Sequence, residues 1–152
     1  MTRTAAREIA ILLSFPAPEE AESAEERMDR FFESGHYETM AEENEVFTEF
    51  PDERQMEYIR TVVKLVWEHR SELDEYIEKY ARGWKLGRIS RAAAAILRCA
   101  MGEILWMPDV PVAAAINEAV ELTKKYEDAD VVAFVNGVLG SFVRCEGLLP
   151  AE

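Results

Sequence analysis

Residues Ala115–Gly140 read AINEAVELTKKYEDADVVAFVNGVLG. Apolar positions recur at helical intervals on both sides of the acidic turn YEDAD. Ile116, Ala119, Val120 and Thr123 line one face, and Val135, Val138, Leu139 and Phe142 line the next. Glu118 and Glu121 stand before Lys124 and Lys125, acid-to-base pairs at helical spacing. Two apolar-striped helices follow from this pattern. Asn117 and Asn136 interrupt the stripes, and Gly137 falls in a helix interior. Ala133, Gly137 and Ser141 are four apart and form a strip of small residues. A mid-helix glycine costs roughly 1 kcal/mol against alanine, so another helix is expected to approach closely there.

Upstream, ISRAAAAILRCAMGEILWMPDVP (Ile89–Pro111) carries Ile96, Leu97, Ala100, Ile104 and Leu105 on one wide apolar face. That width suits a central helix. Ser90 is its expected N-cap, and the turn from Pro108 to Pro111 ends it. A further helical pattern starts after Pro51 and Asp52 with Met56, Ile59, Val63, Val66 and Trp67. It continues through Leu73, Ile77 and Tyr80, with a break near Ser71. Trp84 and Leu86 then lead past Gly87. At the N-terminus Ile9, Leu12 and Leu13 form a short apolar face before Pro16 and Pro18. PEEAESAEERMDRFFESG (Pro18–Gly35) is acidic in its first turn and stops at glycine, as a helix does. Pro18 suits its first turn. With only Met28, Phe31 and Phe32 to bury, it should be largely solvated. His36–Asp52 reads as a helix, or a helix and a loop. The expected fold class is all-α, a compact bundle of about seven helices. A seam near Gly83–Ser90 would divide residues 1–83 from 84–147.

The 152 residues suffice for one domain with a sizeable core. No apolar run approaches the roughly 20 residues that span a bilayer, and Met1 is not followed by a charged, apolar leader. Cys99 and Cys145 fall inside apolar helical pattern and are expected to be buried free thiols. A reducing cytoplasm is the expected compartment. The net charge of −13 is unevenly placed. Ala17–Glu53 holds 14 acids and 2 bases, whereas the rest holds 16 acids and 15 bases. Between Lys79 and Arg98 there are 6 bases and no acid, and Arg3 and Arg7 add a small basic N-terminus. Such a distribution lets one region attract an anion despite the total.

No GxxxxGK[ST], HExxH or GxSxG spacing is present. His36 and His69 are isolated, which favours structural or surface roles over metal ligation. No pair of carboxylates stands out. Neither enzyme, cofactor nor metal is expected, and binding remains. The basic segments could contact phosphates, and Phe15, Tyr126 and Phe134 could stack on unpaired bases.

Three pieces, DVP (Asp109–Pro111), AINEAVEL (Ala115–Leu122) and FVNGVL (Phe134–Leu139), resemble in order and spacing the C-terminal signature of the NusB family. RISRAAAAILRCAMGEIL (Arg88–Leu105) resembles that family's central helix, and TRTAARE (Thr2–Glu8) its arginine-rich start. The likeness is strong over Trp84–Val143, recognisable over Thr2–Phe15 and thin between. It implies two small helical bundles without catalysis. It also implies binding of the boxA element of ribosomal RNA transcripts jointly with NusE, the small-subunit ribosomal protein also called protein S-ten. RNA polymerase then reads through termination signals. The resemblance places RNA contacts at Arg3, Arg7, Phe15, Asp130, Phe134 and Asn136, and a protein-partner surface at Ala93 and Arg98. Asn117 and Asn136 belong to that signature; an Asn in an apolar setting is usually held by hydrogen bonds, which favours a structural Asn117 and leaves Asn136 between that role and the RNA face. Members of such families can also self-associate, so a homodimer is compatible with it.

The departures fall at functional places. Thr4 and Ala5 stand where arginines are common, Leu12 where a Gln is common, Phe15 for a Tyr, and Ala133 where a Lys usually precedes FVNG. Up to three positive charges are lost, so weaker RNA binding is expected, with Lys79–Arg91 as the segment that could compensate. Ala93 replaces an acid that often faces the protein partner. The alternative is a diverged, NusB-like protein-interaction module using the acidic Ala17–Glu53 surface.

Overall fold

The computed structural model describes residues 1–15, 22–33, 35–82, 84 and 88–149. Among the described residues there are eight complete α-helices, two complete 3-10 turns and no strand. Helix α1 (Arg3–Leu13) begins where the Thr2 hydroxyl accepts a hydrogen bond from the Ala5 N–H at 3.1 Å. Helix α2 (Ala24–Phe31) begins later than the sequence suggests. Ser23 caps it by accepting from the Glu26 N–H at 3.1 Å, and Glu22 and Ser23 are not helical. Pro18 lies outside the described residues. Gly35 has φ +92°, the left-handed region in which a side chain is strained, and it turns the chain into the short α3 (His36–Thr39).

The ambiguous segment is thus neither one helix nor a free loop. After α3 it makes 3-10 turns at Met40–Glu42 and Glu45–Thr48. Tyr37 and Phe47 are buried and pack edge to face at 5.6 Å, with Phe31 against both. Edge-to-face aromatic contacts hold the segment where helix propensity does not.

Helices α4 (Glu53–Glu68) and α5 (Arg70–Tyr80) are separated at His69, and Asp52 caps α4 by accepting from the Gln55 N–H at 2.9 Å. Helix α6 (Arg91–Trp106) is capped by Ser90, and every residue from Ala93 to Glu103 is buried. An apolar surface on all sides needs neighbours on all sides, and α6 packs against α1, α4, α5, α7 and α8. Helices α7 (Val112–Tyr126) and α8 (Ala129–Cys145) pack on each other and α8 reaches back to α5. Buried residues on both sides of the Gly83–Ser90 seam form one continuous core, from Ile9 and Ile59 to Leu97 and Phe142.

Three expectations are corrected. Cys145 is exposed, while Cys99 is buried. Burial pushes the Cys99 thiol up to about 12, and it sits 3.8 Å from the Ser14 hydroxyl. Among the described residues no helix covers Gly137, which is exposed, and a Cβ built on it meets nothing within 4 Å. Asn117 is exposed as well, and its side chain makes no hydrogen bond among the described residues. It therefore faces outward from α7 and has no buried partner to hold.

Candidate nucleic-acid interface

Of the expected RNA contacts, Arg7 is the one that the fold withdraws. Its guanidinium donates to both carboxylate oxygens of Glu103, at 2.8 and 2.9 Å, and lies 3.5 Å from Glu118. The residue is only 6% exposed. Burial alone would lower its pKa, but the Glu103 hydrogen bonds and the Glu103 and Glu118 charges outweigh burial and raise it. The Tyr58 hydroxyl donates to the same Glu103 carboxylate. Burial and the Glu103 charge push the Tyr58 pKa up, so the phenol stays protonated. This fork-to-fork pair joins α1 to α6, and its donors are not free for a phosphate.

Arg3 is half-buried, donating from Nε to Gln55 at 2.8 Å with its guanidinium 4.1 Å from the Tyr58 ring centre. Phe15 lies at the other end of α1, roughly 18 Å along it at 1.5 Å per residue. There its ring meets Tyr126 edge to face at 6.4 Å. Tyr126 is fixed by donating to the Glu8 carboxylate and accepting from Asn44 Nδ2 at 3.1 Å, while Lys125 donates to Glu8 at 2.7 Å. Burial, then the Glu8 hydrogen bond, raises the Tyr126 pKa and keeps that phenol neutral.

Tyr126 ends α7, and Glu127 and Asp128 carry the chain directly into α8. On the first turns of α8, Asp130 is exposed and Phe134 is half-buried. Phe134 lies 5.9 Å from Trp84, which is 53% exposed. Their rings wall a small apolar pocket of about 110 Å³, with Ala93 lining it and Arg88 and Asp130 beside it. Arg82, Arg88 and Arg91 are exposed in this region, and none pairs with a carboxylate among the described residues. Asn136 is exposed on another side of α8 and does not line this pocket.

The partner surface also changes. Ala93 is 1% exposed and Arg98 is 5% exposed. Arg98 donates from Nε to Asp74 at 2.6 Å, tying α6 to α5. Neither projects toward a partner; Ala93 only lines the Trp84–Phe134 pocket. Sequence inspection did not single out Trp84 as a binding residue. The available signal was a lone Trp within six bases and no acid, off the helical stripes.

A helical bundle with an aromatic pair, and with arginines that lack a carboxylate partner among the described residues beside it, defines a small all-α binding protein. The family profile of NusB matches residues 4–144, and the chain belongs to the NusB family. The transcription antitermination protein NusB of Acetivibrio thermocellus is 40% identical over 95% of this chain and 90% of its own. The structure of T. maritima NusB superposes with a TM-score of 0.70 at 26% identity, covering 95% of this chain and 92% of that one. The fold is shared too with a NusB chain solved in complex with NusE and double-stranded RNA, TM-score 0.71 at 24% identity, covering 94% and 96%.

Proposed function

We propose that this chain is a transcription antitermination factor that binds boxA RNA jointly with NusE, within the RNA polymerase antitermination complex. It acts in the cytoplasm and catalyses nothing itself. The observation that carries this is the Trp84–Phe134 pair beside Arg82 and Arg88, which have no carboxylate partner among the described residues. The exposed Trp84 ring and the accessible edge of Phe134 stack unpaired bases, and arginines neutralise the phosphates between them. Asp130, exposed at the pocket, is an acceptor for a base amino group. The positive charge missing at Thr4 and Ala5 is supplied instead by the segment before α6. Arg3 contributes at the far end of α1, and Arg7 holds that helix in place.

Fluorescence anisotropy of a boxA RNA and a scrambled RNA, with and without NusE, at two salt concentrations, tests this. A boxA preference that sharpens with NusE is expected. Phe134→Ala should weaken boxA binding by about 1–3 kcal/mol, the worth of one stacked base. Absence of any preference, with NusE ignored, would favour the protein-interaction module instead.

A further inference from the structure

The acidic segment does more than raise the net charge, because it builds a groove. Phe32, Tyr37, Phe47 and Phe50 line it, with a volume of about 560 Å³. Phe32 and Tyr37 stack at 5.6 Å, and the Phe50 ring meets both edge to face, at 5.9 and 5.1 Å. Tyr37 spends its hydroxyl inward, donating to the Glu49 carbonyl at 2.8 Å. Phe32, Tyr37 and Phe47 are buried, but Phe50 is 54% exposed. It is an apolar ring held at a groove mouth and left more than half exposed.

The surroundings say what can cover it. Glu33–Glu53 contains eight acids and no Lys or Arg. All eight are exposed, and only Glu49 has a cation within salt-bridge distance among the described residues, the N-terminal ammonium at 2.6 Å. Such a rim repels RNA, an anionic lipid surface and a second copy of the same face. It complements a cationic polypeptide, whose charges steer it to the groove.

We propose that this groove docks a Lys/Arg-rich protein segment that carries one aliphatic or aromatic side chain. The apolar side chain covers Phe50 while the flanking cations meet Glu33, Glu38 and their neighbours. Buried aromatic anchors ringed by charge are where binding energy concentrates in interfaces. The site lies on residues 32–50, from the end of α2 to just past the second 3-10 turn, and does not depend on the RNA assignment above.

The test is anisotropy of a labelled Lys/Arg-rich peptide containing one Leu, beside the same peptide with Ser in place of that Leu, against the full chain. Phe50→Ser is the informative variant, since it leaves every charge intact and alters an exposed position. The expected result is at least about tenfold weaker binding both for the Ser peptide and for Phe50→Ser. Glu33→Gln with Glu38→Gln should weaken binding and flatten its salt dependence. Equal binding of both peptides to both proteins means attraction by net charge only and overturns the proposal. So does a loss of boxA binding in Phe50→Ser, which assigns the groove to RNA, or a dimer abolished by Phe50→Ser, which assigns it to self-association. Circular dichroism of the variant distinguishes each outcome from misfolding.

Discussion

Arg7 reaches Glu103 across 96 positions of chain, and such a pair leaves no local trace in a sequence. Arg3 and Arg7 share a helix face and match a basic start, so both read equally well as phosphate contacts. Only tertiary packing separates a half-exposed Arg3 from a buried Arg7. The consequence is measurable. Removing one partner of a buried ion pair strands the other charge and costs about 3–5 kcal/mol. Arg7→Ala should lose that much in urea denaturation, and in protein still folded it should leave the salt slope of RNA binding unchanged. Arg88→Ala should behave oppositely, with native stability and a slope reduced by about 0.7, the increment for one phosphate contact on single strands. A reduced slope for Arg7→Ala would return that guanidinium to the RNA face. Trp84 carries the same lesson with the sign reversed, whereas Phe134 was legible as a stacking ring. A large aromatic is usually core, and the 53% exposure of Trp84 beside Phe134 follows only from setting α8 against the segment before α6.

Helix α8 was legible as an element, because Val135, Val138, Leu139 and Phe142 are all buried as their spacing requires. The small-residue strip on its other side was misread, since spacing alone cannot say whether a strip is covered. Ala133, Gly137 and Ser141 line an open groove with Tyr80, Arg82 and Trp84. With space for a Cβ and helical backbone already in place, Gly137→Ala should stabilise the chain by about 1 kcal/mol, read as a raised urea midpoint. Destabilisation would mean that the groove is tighter than it is here. The end of α8 is tied to α5 by Glu146, which accepts from the Tyr80 hydroxyl and from Lys79 at 2.9 Å. Those two bonds, Tyr80 first, hold the Glu146 carboxyl below its ordinary value of 4.5. A depressed carboxylate stabilises the fold above that ordinary value, and the contribution fades as pH falls through the folded-state pKa. Glu146→Gln should therefore melt at a lower temperature than the parent at neutral pH. The gap should begin to narrow as pH falls through about 4.3, where unperturbed glutamates protonate, and close only below the depressed folded-state value. A gap independent of pH would make the contact one of shape rather than charge.

Over the whole molecule the charge is divided between an acidic segment and a basic stretch before α6, and this division was plain in the sequence. Its architecture was not. The acidic segment from Glu33 to Glu53 lacks a long helical period because it is held by Tyr37, Phe47 and Phe31 rather than by propensity. Pairwise screening limits direct effects to about a Debye length, roughly 10 Å at 0.1 M salt, but an anionic ligand approaching the protein meets the summed field first. The acidic segment should therefore slow encounter with RNA without touching it. Converting Glu42, Glu43 and Glu45 to Gln should raise the RNA association rate at low ionic strength. It should leave the dissociation rate unaltered, because none of the three lies at the Trp84–Phe134 pocket. The rate advantage should vanish as salt shortens the Debye length to about 3 Å near 1 M. A faster association that survived high salt, or a changed dissociation rate, would place these carboxylates in contact with the RNA and remove the division of labour between the two faces.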